Sequence, residues 1–371
     1  MRLCFDNDWL FHLGDHEVPR ACNAGHLKAG LARGFASYDH DDSDWTDVRV
    51  PHDWQQCMTP QERFEGHNGY FEPGIGWYRK HFDIPAEWQG KKLYLEFEGI
   101  FRNSTAYVNG FDLGTHASGY TPAVYDISDF VPRWHFQETD NPQPNGAREI
   151  IAVRVDATNP ESWWYDGAGI YRHVWLHVVD RLHFAIHGLW CETLNASAKK
   201  TDVLIHLPLC NDHDDEKSVE IAAKIIAPNG ECVAALDKCL RVAPGASETA
   251  LAAVLPNPQL WSPDHPTLYR VELTLSMAGL ILEERTLPLG VRWFKFDADK
   301  GFFLNGKQLK LQGVNAHHDW AGVGVALPDR LNVKRIEMTK ELGANAFRCS
   351  SNPHSPALLD ACDKLGLLVI D

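Results

Sequence analysis

Leu93, Leu95 and Phe97 alternate with Tyr94, Glu96 and Glu98, the period-two pattern of a strand with one buried face and polar residues outward. The same alternation recurs at Ile151, Val153 and Val155, and again at Val174, Leu176 and Val178. Residues 105–108 and 111–113 flank Asn109-Gly110, a pair that tolerates the positive φ angles of a type I′ turn, so a hairpin is predicted there. Short strands separated by Gly, Pro and Asn turns, with no helical run between them, predict an antiparallel jelly-roll β-sandwich over 1–181.

A second all-β block is predicted over 182–293. Val203, Ile205, Leu207 and Leu209 alternate, as do Val219, Ile221, Ala223 and Ile225, and then Tyr269, Val271, Leu273 and Leu275. About 110 residues of such strands have the size of an immunoglobulin-like sandwich, although no Cys…Trp…Cys spacing accompanies them. From 294 onward the pattern changes. Residues 310–315 read as a strand; Leu331, Met338 and Leu342 recur at helical spacing before Gly343; 346–350 is a second strand. Ser355-Pro356 suits the N-cap and first turn of a helix over 357–365, closed by Gly366, with Leu358, Leu359, Cys362 and Leu365 as its apolar stripe. Residues 367–371 form a nearly all-apolar third strand, as in parallel sheets covered on both faces. This β-α-β-α-β order is the start of a parallel sheet. Its Leu311, Val314, Phe347, Leu368 and Ile370 are expected to face layers that 294–371 does not supply, so another chain or further residues should cover them.

Composition narrows the partners. Thirty-five basic residues stand against 50 acidic ones, and a formal charge of −15 argues against nucleic acid and anionic membrane, both of which need clustered Lys and Arg. No apolar run approaches the ~18 residues of a membrane span, and the first residues carry no secretory h-region. Nine scattered cysteines, odd in number and without Cys-x-x-Cys, read as free thiols, and the expected location is cytoplasmic. Thirteen Trp, 10 Tyr and 17 Phe are a generous aromatic supply; such rings fill sandwich cores or stack on the apolar faces of sugars. The acidic stretch 39–44 lacks the glycine and terminal glutamate of a calcium loop and reads as a solvated loop.

Eight segments carry a more specific signal: Pro51-His52-Asp53-Trp54; Gly74-Ile75-Gly76-Trp77-Tyr78-Arg79-Lys80; Phe97-Glu98-Gly99-Ile100 leading to Val108-Asn109-Gly110; Gly119-Tyr120-Thr121-Pro122; Trp164-Tyr165-Asp166-Gly167-Ala168-Gly169-Ile170-Tyr171-Arg172; Leu260-Trp261-Ser262-Pro263; Gly313-Val314-Asn315-Ala316-His317-His318-Asp319; and Arg348-Cys349-Ser350-Ser351-Asn352-Pro353. In this order they resemble the front end of family 2 glycoside hydrolases, which include β-galactosidases, β-glucuronidases and β-mannosidases. The resemblance implies a mostly β multidomain chain: jelly-roll β-sandwich, immunoglobulin-like β-sandwich, then the start of a (β/α)8 barrel. The forms at 74–80 and 315–319 are more similar to the β-galactosidase branch.

Retaining glycosidases work with two carboxyl groups about 5–5.5 Å apart. The resemblance puts both catalytic glutamates, and the magnesium ligands of some members, outside 1–371. No catalytic residue, no metal site and no cofactor is therefore expected within this chain, and the resemblance leaves Mg to the complete enzyme. The supporting residues it implies are Arg348, which would face the nucleophilic carboxylate, with Asn315 and His317 at the end of the first barrel strand, and Ser351 and Asn352 after the second. Ser351 is a departure, because β-galactosidases of the family commonly carry histidine there; His354 is a candidate substitute. Trp163 and Asp166, in the first domain, are candidates for sugar contact, and Asp53-Trp54 reads as an interdomain corner. The expected partners are a β-linked oligosaccharide or glycoside, the rest of the barrel from the same or a second chain, and a second copy in a homo-oligomer. The expected function is the N-terminal portion of a retaining exo-β-galactosidase, inactive alone. Open beside it stand the other family activities, a non-catalytic carbohydrate-binding module, and a subunit of a two-chain enzyme.

Overall fold

The computed structural model describes residues 1–16, 32, 34–131, 149–159 and 162–371. Cys22 lies outside the described residues; the other eight cysteines are free thiols.

The first module contains strands β1 (Arg2–Cys4), β2 (Trp9–Leu13), β3 (Thr46–Val48), β4 (Gly74–Phe82), β5 (Lys92–Phe97), β6 (Ser104–Val108), β7 (Phe111–His116), β8 (Ala123–Asp126), β9 (Glu149–Ala157) and β10 (Val174–Val179). They form a four-stranded sheet, β1-β10-β5-β8, and a six-stranded sheet, β3-β2-β4-β9-β6-β7. Trp9, Tyr78, Leu95, Phe97, Ile151, Val153 and Leu176 fill the space between the two. The β6–β7 hairpin turns at Asn109 and Gly110, with φ of 52° and 82°, and Val108 pairs directly with Phe111.

Two expectations fail here for the same reason. Glu96 and Glu98, read as outward residues of β5, are buried. Glu96 meets His177 at 2.6 Å, His187 at 3.1 Å and Arg2 at 3.4 Å. Burial alone would raise its carboxyl pKa, but these partners outweigh it and hold the value down to about 2. His187 belongs to the second module, so this sheet face is covered rather than wet. Likewise Asp42, within the acidic stretch, accepts from Arg79 Nε at 2.6 Å and lies 2.8 Å from His81 Nε2. Arg79 is 0% exposed. In both cases a distant part of the chain supplies the charge that lets an acidic group leave water.

The second module holds β11 (Leu182–Phe184), β12 (Trp190–Leu194), β13 (Lys200–Asn211), β14 (Lys217–Ile226), β15 (Cys232–Val242), β16 (Gly245–Pro256), β17 (Tyr269–Met277) and β18 (Leu280–Leu289). Long β13 pairs with β11, β12 and β16, and the facing sheet runs β15-β14-β17-β18. The inward residues of the predicted alternations, among them Ile205, Leu207, Ile221, Ile225, Val271 and Leu273, make one core. This is the expected second β-sandwich.

A small antiparallel sheet of β19 (Phe294–Asp297), β20 (Gly301–Leu304) and β21 (Lys307–Gln308) leads into the parallel part. There β22 (Gly313–Ala316), α1 (Asp329–Glu341), β23 (Ala346–Cys349), α2 (Pro356–Leu365) and β24 (Leu368–Ile370) follow one another, and β22-β23-β24 form a parallel sheet. Ile336, Phe347, Cys349, Leu358 and Cys362 pack between helices and strands. Phe347 therefore points to the helices, because neighbouring Arg348 takes the opposite face; Leu311, Val314 and Ile370 are exposed. The stripe read for α1 is also the wrong one. Met338 and Leu342 are 45% and 78% exposed, whereas Asn332, Ile336 and Thr339 are buried. Thr339 can be buried because its hydroxyl donates to Arg335 O one turn back, at 2.8 Å. Ser355 has the extended backbone of an N-cap, but its side chain makes no capping bond.

The second and third modules interlock through the Trp261-Ser262-Pro263 motif. The Trp261 indole donates to Asp363 O at 2.8 Å, and Lys340 Nζ donates to both Pro263 O and Gly366 O at 3.0 Å. Gly366 closes α2 with φ of 81°, and a Cβ there would lie 2.3 Å from Pro263 O. Among the described residues no helix is long and apolar enough to cross a membrane.

Candidate active-site support at the parallel sheet

In parallel β/α units the C-terminal ends of the strands and the loops that follow them converge at one face. The end of β22 places Asn315 there, directly in register with Arg348 of β23 and Ile370 of β24. Their side chains share the face opposite the helices, and all three are exposed. The Arg348 guanidinium makes no hydrogen bond or ion pair among the described residues, which leaves a cation at the strand end facing outward from the packed layer.

The loops beyond these strands do not stand alone; the jelly roll holds them. The Trp164 ring stacks on His317, with centroids 4.9 Å apart and planes 21° apart. Tyr171 stacks on His318 at 5.4 Å and 26°. His318 Nδ1 donates to Asn352 Oδ1 at 3.0 Å, so the loops after β22 and β23 are bonded to each other. Arg172, buried, donates from Nη2 to Pro353 O at 2.5 Å and from Nη1 to Tyr120 O at 3.2 Å. His173 bridges Asp6 Oδ2 at 2.6 Å and Asp329 Oδ1, at the start of α1, at 3.1 Å. Those two carboxylates outweigh burial and raise the imidazole pKa to about 10.

Asp53 makes the corner read from its motif. Its buried carboxylate accepts from Gln55 N and Ala168 N at 3.2 Å, from the Tyr165 hydroxyl at 2.6 Å, and from Val325 N, in the loop after β22, at 3.1 Å. Burial nonetheless pushes this carboxyl up. Gly169, with φ of 127°, lets that corner close, since a Cβ there would lie 2.4 Å from Tyr78 Oη and 2.6 Å from His52 O.

The candidate residues thus separate into two groups. Asn315, Arg348, Ser351 and Trp163 are exposed, Trp163 at 90%, and can meet a ligand. Asp166 and Asn352 are turned inward. Asp166 accepts from the Tyr120 hydroxyl, and burial raises its pKa. His317 sits between the groups, half-buried under Trp164. His318 and His354 are both buried and held neutral by burial, with values lowered to about 4 and about 3. His354 is not placed to replace an exposed histidine at Ser351. Tyr171, Arg172 and Trp164 were quoted in the sequence motif without a role. Their signal was aromatic and cationic character in a loop segment, and the structure makes them the clamp.

Among the described residues no three His, Cys, Asp or Glu side chains converge as a metal set.

Comparison with known proteins agrees with this arrangement. Residues 184–292 match the model described as glycosyl hydrolases family 2, and residues 297–371 match the model of the family 2 TIM barrel domain. The chain is 35% identical over 372 residues to beta-galactosidase BoGH2A of Bacteroides ovatus, covering 99% of this chain and 40% of that protein. It is 30% identical over 359 residues to a beta-glucuronidase of Formosa agariphila, covering 90% of this chain and 35% of the relative. A crystal structure of a family 2 member from Bacteroides cellulosilyticus superposes with a TM-score of 0.86 at 35% identity, covering 100% of this chain and 45% of the other. The chain thus spans about two-fifths of the length of these relatives. Two β-sandwiches bonded through motif corners to a parallel β/α segment, matched over nearly every residue to such proteins, place the chain in glycoside hydrolase family 2.

Proposed function

We propose that this chain is the N-terminal portion of a retaining exo-β-glycosidase that releases terminal β-galactosyl units. The observation that carries the reading is Arg348: an exposed guanidinium at the C-terminal end of a barrel strand, beside Asn315, with no partner among the described residues. A fixed cation there would keep a facing carboxylate ionised and oriented, which is what a glycosidase nucleophile requires. The two catalytic glutamates belong to later barrel strands, outside 1–371. Attack of one carboxylate on the anomeric carbon would expel the aglycone as the other carboxyl protonates it, and water would then release the sugar.

Galactose is favoured by the forms at 74–80 and 315–319, and Ser351 weighs against it. The beta-glucuronidase relatives support glucuronide as the second reading. Purified 1–371 is expected not to hydrolyse 4-nitrophenyl β-galactoside, whereas the chain extended through a full barrel should do so faster than it hydrolyses the glucuronide or the mannoside. Turnover by 1–371 itself overturns the reading. A preference for glucuronide by the extended chain replaces its substrate.

A further inference from the structure

The second module carries an aromatic surface that no step of glycoside hydrolysis uses. Trp190 opens edge strand β12 and is 48% exposed. Its cross-strand partner is His206, and the two rings lie parallel with centroids 4.0 Å apart. The imidazole is itself fixed between carboxylates, with Nε2 3.4 Å from Glu192 and Nδ1 3.7 Å from Glu248. One face of the indole is therefore backed by a parallel ring, and the other looks outward. Beside it runs an open groove of about 440 Å³, whose walls include Trp190, Glu192, Thr193, Arg292, Trp293 and Phe294. The walls are tied together by the Thr193 hydroxyl, which donates to Arg292 O at 3.0 Å. The groove is thus preformed rather than assembled around a ligand.

We propose that this groove is a glycan-holding site, separate from the barrel face, for a neutral, β-linked polysaccharide chain. A pyranose presents an apolar face of C–H groups and an equatorial rim of hydroxyls. An indole held flat by its backing ring stacks on the former at low entropic cost. Glu192 supplies acceptors for the latter, and Trp293 and Phe294 extend the aromatic wall along the groove. Carboxylates at 192 and 248, on a chain of formal charge −15, select against polyanions such as uronate polymers or nucleic acid. The proposal does not depend on hydrolysis, because every residue it names lies outside the barrel strands and their loops.

The test is affinity electrophoresis of the 1–371 chain in native gels containing soluble β-1,4-galactan or xyloglucan, with polygalacturonate as the charged control. At least one neutral polymer is expected to retard the protein and polygalacturonate is not. Trp190→Ala should weaken retardation at least tenfold and Trp190→Tyr should retain most of it, while Tyr70→Ala, at an exposed aromatic of the first module, should leave it unchanged. A melting temperature within a few degrees of the parent chain confirms that the Trp190 variants are folded; Glu192→Gln, which should also weaken retardation, serves if they are not. The proposal is overturned if neither neutral polymer retards the chain, if Trp190→Ala and Glu192→Gln are both retarded like the parent, or if Tyr70→Ala alone abolishes the effect.

Discussion

Replacing His173 by glutamine tests whether the jelly roll and the barrel segment are joined by a charge. The imidazole lies between Asp6, 2% exposed, and Asp329, 56% exposed, and its pKa is raised from 6.5 to about 10. A shift of that size sets a ceiling of roughly 5 kcal/mol on its contribution. Half of the interaction is with a carboxylate that water screens, and exposed pairs contribute at most about 1 kcal/mol. Removing one partner from a buried pair costs about 3–5 kcal/mol. Asp6 keeps its bond from Val174 N at 2.9 Å, and glutamine keeps one donor, so His173→Gln should cost about 2–3 kcal/mol at pH 7.

The pH dependence gives the sharper test. A histidine whose folded pKa is raised contributes its full stabilisation below the unfolded value near 6.5, and loses it as pH rises through the folded value near 10. Urea unfolding followed by tryptophan fluorescence, with Trp175 5.5 Å from the imidazole as a local reporter, should show the wild-type advantage shrinking from pH 7 to pH 10. The steepest part should approach 1.4 kcal/mol per pH unit. An advantage that stays constant across this range refutes the charged bridge. Asp329→Asn should cost less than about 1 kcal/mol, because that arm faces water.

Other substitutions probe the remaining joints. Arg79→Met leaves Asp42 and the carbonyls of Phe35 and Ser37 without their buried donor and should cost about 3–5 kcal/mol by chemical denaturation. Burial opposes ionisation of Asp42, but His81 and Arg79 prevail and hold its carboxyl down to about 2. Its stabilisation is therefore present above pH 3.8 and fades as pH falls towards 2, so wild type and Arg79→Met should converge in acid. Gly366→Ala must move a Cβ away from Pro263 O and leave the left-handed region, so a loss of about 2–4 kcal/mol is expected, with greater protease sensitivity of residues 313–371.

The sandwich and β/α architecture was legible because it depends on local grammar. Alternation, Asn109-Gly110, Gly343 and Gly366 act within a few residues, and each appears where its chemistry requires. Misreadings occurred where a polar side chain is buried by a partner far along the chain. Glu96 is 81 residues from His177, and Asp42 is 37 from Arg79, so no window over the sequence contains both ends. The α1 stripe failed for a related reason: Thr339 sits inside through its hydrogen bond to Arg335 O and Asn332 sits beside the jelly roll, while apolar Met338 and Leu342 remain outside. At the candidate site, Arg348 and Asn315 could be placed from strand ends alone. The inward turn of Asp166 and Asn352 could not, because Tyr120 and His318 decide it from 46 and 34 residues away.

The bonds between the jelly roll and the barrel segment have a direction in time. Asp53 precedes Val325 by 272 residues, Arg172 precedes Pro353 by 181, and His173 precedes Asp329 by 156. Domains fold as units during synthesis, the earlier ones first, at about 5–20 residues per second. When α1 leaves the ribosome, the acceptor and donor groups that will grip its loops have already been in place for roughly 10 seconds or more. The jelly roll then acts as a mould, against which the first β/α units set before the rest of a barrel exists to hold them.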